Sequence, residues 1–208
     1  MKTMLLFLAL AGVLAAANSN TSAATWETVS TGSAKVAVPK GWRNMDGIEN
    51  TMPVYRLGDG IGVPVVDETG APLQIGLVVE KLPPAKKSTE ALAREAVKDA
   101  MKDPRLQLVG KESVESVTLS DQTTATLETT EVIKAGSRRK LQMQLYAKDS
   151  RGQVWVVTGF LVGGKTSQWP TPRSRLGAWL RAHIVSLTLT GTAIDSKRLQ
   201  AAYQDRDK

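Results

Sequence analysis

The sequence predicts an α+β fold, an antiparallel β-sheet meander flanked by two main α-helices. Three observations predict it. Between residues 117 and 162 apolar side chains recur with a period of two, in runs separated by only a few residues. Such connections are too short for the crossover that parallel neighbours require. Two other stretches, one before the meander and one after it, carry apolar residues at helical spacing. The chain has 208 residues, and what remains after an N-terminal leader is a length that ordinarily makes one domain.

Residues 26–42 alternate weakly, and Val36, Val38 and the Pro39-Lys40-Gly41-Trp42 turn read as a first strand running into a reversal. Residues 54–80 are strand-like with breaks. Asp59-Gly60-Ile61-Gly62 and Asp67-Glu68-Thr69-Gly70 supply turn residues, so the runs 63–66 and 73–79 are expected to form a hairpin. After Pro83 and Pro84, Ser88 or Thr89 caps a helix with Leu92, Ala93, Ala96, Val97, Ala100 and Met101 on one face. Pro104 ends it.

Consecutive strands follow, marked by Val117 and Leu119, by Ala125 and Leu127, by Leu141, Met143 and Leu145, and by Val154, Val156 and Phe160. In the last of them Trp155, Val157 and Leu161 make the second face apolar too, which predicts a central strand covered on both sides. Beyond Pro170 and Pro172 a helix is predicted over 173–187, with Leu176, Trp179, Leu180, Ile184 and Leu187 at core spacing. Residues 191–208 are polar apart from Ile194, Leu199 and Tyr203 and read as a flexible tail or a short surface helix. The expected division is a signal peptide over 1–24, a single domain over 25–190 and a flexible C-terminal tail over 191–208.

The leader is read from Met1 and Lys2, the unbroken apolar run 4–17, and small-residue cleavage positions after Ala17, Ala23 or Ala24. The run is too short to cross a bilayer as a helix, and no later run is longer. With no cysteine to carry a lipid, the product is expected to be soluble and secreted or periplasmic. Apolar residues make up 42% and charged residues 23% of the chain, ordinary values for a domain that buries its core without disulfides. Zero cysteines and one histidine, His183, exclude thiolate nucleophiles, iron–sulfur clusters, zinc–thiolate sites and His-rich metal clusters. Neither a cofactor nor a metal is expected.

The order of elements, with Val36-Ala37-Val38-Pro39-Lys40-Gly41-Trp42 near the start, a helix, a long meander and a closing Trp-containing helix, resembles the PsbP-like superfamily. That group includes the photosystem subunit PsbP, the DcrB-like bacterial envelope proteins and a yeast Ran-binding protein. The resemblance covers residues 26–189 and implies an α/β/α sandwich. It also implies a binding or assembly role without a shared catalytic triad, and it carries over no site residues.

Several motifs resolve to bland readings. Gly159-Phe160-Leu161-Val162-Gly163-Gly164-Lys165-Thr166 spells a phosphate-loop string. Its middle positions read as strand, however, and Pro170 and Pro172 interrupt the helix that phosphate binding needs. No nucleotide is expected. Ser137-Arg138-Arg139-Lys140 fits S-x-x-K but falls in a hairpin turn rather than at a helix N-terminus. His183 sits beside an apolar stripe and reads as a boundary histidine packed on the sheet, and Asp67-Glu68 reads as a turn.

Charge distribution carries more. Residues 18–133 contain 12 Lys and Arg against 16 Asp and Glu, whereas residues 134–208 contain 14 against 4. Turns of a meander alternate between the two ends of the sheet. Lys134, Arg138, Arg139 and Lys140 are therefore expected at the end to which the chain returns at Gly163, bringing Lys165, Trp169, Arg173 and Arg175. This rim is the candidate surface for a protein partner in the cell envelope or for an acidic polymer. The expected function is that of an exported, non-catalytic binding or assembly protein. An anion-binding module for envelope polymers and a hydrolase using Ser, Asp or Glu are the alternatives.

Overall fold

A computed structural model describes residues 25–44, 54–56, 74–134, 138–163 and 174–206. Its centre is an antiparallel sheet containing β3 (Arg43–Asn44), β4 (Val54–Arg56), β5 (Gln74–Leu82), β6 (Leu106–Leu108), β7 (Ser113–Thr118), β8 (Thr124–Lys134), β9 (Arg138–Lys148) and β10 (Val154–Gly163). The spatial order is β3-β4-β5-β10-β9-β8-β6, with β7 also paired to β8. β8, β9 and β10 form the expected meander. β5 closes the other side of β10, so the most apolar strand lies between two neighbours. The predicted run 63–66 lies outside the described residues.

Alternation along β10 assigns its two faces. Trp155, Val157 and Leu161 join Leu77, Leu127, Leu141 and Leu145 in the main core, whereas Val154 and Val156 join Tyr146 and Ala93 on the opposite face. Each face is covered by a helix. α1 (Thr89–Ala100), whose first turn is capped by the Ser88 hydroxyl accepting from the Ala91 amide at 3.1 Å, lies on the Tyr146 face. The Thr89 and Thr126 hydroxyls meet at 2.8 Å, and the Lys148 ammonium donates to the carbonyls of Ala85 (2.7 Å) and Lys87, fastening the helix entry to β8 and β9.

α2 (Arg175–Ile184), capped by Ser174 onto the Gly177 amide at 3.1 Å, lies on the other face. It is shorter than the predicted span 173–187. Beyond Ile184 the chain straightens, and Thr188 exchanges two 2.9 Å backbone hydrogen bonds with Lys35. α2 approaches β10 closely because position 159 is glycine. A Cβ there would stand 2.5 Å from Cδ1 of Ile184 and 3.0 Å from Cδ1 of Leu180. Gly76 plays the same part on the opposite face, where a Cβ would stand 2.3 Å from the Phe160 ring.

Two expectations are corrected. The stretch 26–42 is two strands, β1 (Trp26–Thr31) and β2 (Ala34–Pro39), paired as a hairpin in a separate small sheet. Of the two readings of the C-terminal stretch the helix is the one found and the flexible tail is not: residues 196–206 form α3 (Ser196–Arg206), a third helix among the described residues. Leu199 and Tyr203, one turn apart, are both buried, Leu199 against Ala37 and Ala182 and Tyr203 against the aromatic rings of the main core. Two anchors on an otherwise polar helix give a weak periodic signal, and the surface they cover exists only once β2 and α2 are packed.

Replacing Gly159 with Ala is expected to lower unfolding free energy by about 1–3 kcal/mol through overpacking. Trp179→Ala and Trp155→Ala, at 1% and 3% exposure, are each expected to cost about 3–5 kcal/mol. Urea denaturation checks all three, and an unchanged midpoint for Gly159→Ala would mean that α2 does not press on β10.

Candidate functional site

The strand register decides which of the rim residues meet. Lys134 stands opposite Arg138, Arg139 opposite both Ile133 and Gly163, and Lys140 opposite both Val132 and Val162. The β8–β9 connection and the exit of β10 therefore leave from one end of the sheet. Arg175 is exposed in the first turn of α2. Lys165, Trp169 and Arg173 lie outside the described residues. Two rim cations are already engaged. The Arg139 guanidinium forms an ion pair at 2.9 Å with Glu131, both side chains being mostly buried. Lys140 turns to the α1 face, where its ammonium lies 5.6 Å from the Phe160 ring centre.

Lys140 thereby lines a feature that the sequence reading missed. Between α1 and the sheet lies a cavity of about 80 Å³, walled by Ala96, Val97, Ala100 and Met101 from the helix side and by Glu128, Thr130, Val132, Lys140, Gln142 and Gln144 from the strands. Glu128 is fully buried, and neither carboxylate oxygen makes a well-formed hydrogen bond, the Thr130 hydroxyl alone assisting the charged form. Burial pushes its pKa up to about 7, and Glu112 adds to the rise, while the Thr130 hydroxyl and the Lys140 charge act in the opposite sense. Burial also lowers the pKa of Lys140, against the pull of Glu128. Gln144 is held in place, donating to the Thr158 hydroxyl at 3.1 Å and accepting from the Tyr146 hydroxyl at 3.3 Å. The only sequence signal was Thr126, Glu128 and Thr130 alternating with Ala125 and Leu127. That pattern reads as an ordinary solvated face until α1 is laid over it.

His183 is not at a boundary but wholly buried. Its Nδ1 lies 2.9 Å from the Ala37 carbonyl, which can only accept, so in the neutral ring Nδ1 carries the proton. Nε2, which then accepts, lies 3.1 Å from the Tyr203 hydroxyl, whose single proton is shared between Nε2 and the Thr25 carbonyl at 3.0 Å. Ser186 completes the cluster, accepting from the Ala37 amide at 2.8 Å and donating to the His183 carbonyl at 2.6 Å. Trp179 and Tyr203 pack edge-on against the imidazole. Burial lowers the His183 pKa to about 4, with Arg206 contributing and the Ala37 hydrogen bond opposing. Both ring nitrogens are engaged and out of reach of solvent, which makes this a structural histidine and not a general base.

Gly159 to Val162 of the phosphate-loop string are strand paired on both sides, Gly163 is paired to Arg139 alone, and the first glycine faces Ile184. The backbone amides are thus in the sheet ladder rather than curled around an anion. Among the described residues no cluster of three or more His, Asp or Glu side chains could hold a metal ion, and no helix is long and apolar enough to cross a membrane.

No family model matches the chain, and no curated protein matches it by sequence. Solved structures do match by fold. The Ran-binding protein Mog1p of Saccharomyces cerevisiae superposes with a TM-score of 0.54 at 14% identity, over 79% of this chain and 95% of that one. A point mutant of Mog1 superposes with a TM-score of 0.54 at 15% identity, covering 80% and 97%. The solution structure of cyanobacterial PsbP (CyanoP) from Synechocystis aligns over 82% and 95% at 14% identity, with a TM-score of 0.47. The likeness to Mog1p shows the fold, an α+β arrangement around an antiparallel sheet, as expected from the sequence.

The two buried titrating groups predict opposite pH slopes. The folded state resists protonating His183, so stability is full above the unfolded pKa of 6.5 and falls as pH drops toward 4, by about 3 kcal/mol. The folded state resists ionising Glu128, so stability falls instead as pH rises from 4.5 toward 7, by a similar amount. Glu80, also raised by burial, shares the sign of Glu128. Between pH 4.5 and 6.5 the wild type should therefore show a shallow profile. Glu128→Gln should lose stability steadily on acidification through that window, and denaturant midpoints across the pH series check it.

Proposed function

We propose that this protein is an exported, non-catalytic binding or assembly protein of the bacterial envelope, acting through surface contacts at the basic end of its sheet. The observation that carries the reading is the register. Lys134 lies directly across from Arg138, and the exit of β10 lies beside Arg139, so the basic β8–β9 hairpin end and the start of the following connection leave the sheet at one end. Glu131 neutralises Arg139 and the cavity holds Lys140. In this reading docking rests on Lys134 and Arg138, and Lys165, Trp169, Arg173 and Arg175 of the following connection are the further candidates from the sequence. That one protein of this fold is a Ran-binding protein supports a role in protein recognition. The leader 1–24 supports export.

The same charge favours a second reading, an anion-binding module for acidic envelope polymers. One pair of substitutions separates the two. In the docking reading, Lys134→Glu with Arg138→Glu removes a discrete crosslinked partner from native envelopes, and excess heparin leaves the wild-type crosslink intact. In the polymer reading, heparin binding falls linearly with log salt, and the double variant flattens that slope by about two charges. A monomer that crosslinks to nothing and is retained by heparin equally in both forms would overturn both.

A further inference from the structure

An isolated carboxylate in an apolar interior is expensive unless something compensates it. Glu128 is fully buried, neither of its oxygens makes a well-formed hydrogen bond, Thr130 gives it only partial compensation, and it lines a cavity. The helical wall of that cavity, Ala96, Val97, Ala100 and Met101, is apolar, as is Val132 on the strand side. This is the composition of a small-molecule site, a mostly apolar hollow with a few convergent polar groups. About 80 Å³ is far more than one water needs and somewhat over half of a cavity of about 150 Å³ that admits benzene, so the occupant has only a handful of heavy atoms.

The polar groups define its chemistry. Glu128 stands opposite Gln144, and Lys140 stands opposite Val132. The acid and the base thus enter from strand positions four residues apart, about 13 Å along the strand axis, and face the same hollow. No ion pair joins them. A simple cation would satisfy Glu128 and leave Lys140 facing like charge; a simple anion would do the reverse. The Glu and Lys side chains reach toward each other across the hollow, so a compact zwitterion answers both, and the apolar helical wall asks for a short hydrocarbon group beside the two charges.

We propose that the cavity under α1 binds a small aliphatic α-amino acid, its ammonium on Glu128, its carboxylate on Lys140 and Gln142, and its side chain against Ala96, Val97 and Ala100. Gln144, locked between Thr158 and Tyr146, forms a rigid wall beside the ammonium. Because burial holds part of the Glu128 population protonated near neutral pH, arrival of an ammonium group drives that proton off, and binding is linked to proton release.

The test is calorimetric titration of the purified protein at pH 7 with L-alanine, glycine, methylamine and acetate as separate probes, in two buffers of different ionisation enthalpy. L-alanine should bind, and its apparent enthalpy should shift between buffers. Methylamine and acetate should each bind at least about tenfold more weakly, having lost one charge-assisted contact. Glu128→Gln should weaken L-alanine by at least about tenfold. Ala96→Leu, which fills the hollow from the helix side and keeps both charges, should abolish binding and stands as the second variant if Glu128→Gln does not fold. Absence of binding by either amino acid overturns the proposal, as does undiminished affinity in Ala96→Leu. Methylamine binding as tightly as L-alanine would make this a cation site and overturn it too. Neither variant touches Lys134 or Arg138, so failure here is distinguishable from failure of the docking reading.

Discussion

The structure depends on one constraint: β10 is apolar on both faces and therefore has to be covered twice. Trp155, Val157 and Leu161 look one way and Val154 and Val156 the other, so a sheet with one solvated face is not available to this chain. Two antiparallel neighbours, β5 and β9, satisfy its backbone, and a helix on each side removes its side chains from water. Gly159 and Gly76 serve that double coverage, one admitting Ile184 and Leu180, the other the Phe160 ring. Substituting either would press carbon into positions already occupied.

Covering the α2 face creates a second demand, since α2 is too short to shield it alone. The β1–β2 hairpin and α3 complete that layer, and polar groups hold the three pieces together. The outer edge of β2 is sealed by Thr188, Ser186 and His183, which between them take up backbone groups of Lys35 and Ala37. Tyr203 links α3 to the His183 ring and to the Thr25 carbonyl. Asp121 performs a similar task at the β7–β8 turn, accepting from the Leu189 and Thr190 amides at 2.5 and 3.2 Å; burial pushes its pKa up, but these bonds together with those from the Thr123 amide and hydroxyl outweigh it and hold the pKa below the usual carboxylate range. The single histidine thus secures a joint between strand, helix and C-terminal segment.

Covering the opposite face has a different consequence. α1 packs tightly where Ala93 meets Tyr146, Val154 and Val156, but farther along it lies over Glu128, Thr130, Lys140 and Gln142, a polar stripe that cannot interdigitate with alanines. The result is a hollow with charge at both ends. Arg139, on the next residue of β9, points to the other face and is neutralised by Glu131. Neighbouring cations in the sequence are therefore divided between the two layers, Lys140 under α1 and Arg139 on the other side of the sheet.

The sequence by itself determined the meander, its antiparallel sense, the placement of α1 and α2 and the double burial of β10. These follow from local periodicity and connection length, which act over a few residues. It did not reveal that 26–42 is a hairpin, that Leu199 and Tyr203 anchor a third helix, or that Glu128 faces a cavity. Those outcomes depend on surfaces that exist only after distant segments pack: β2 and α2 for the anchors, α1 over the sheet for Glu128. Alternation assigns a residue to a face, and only the tertiary structure decides whether that face meets water, carbon or a cavity.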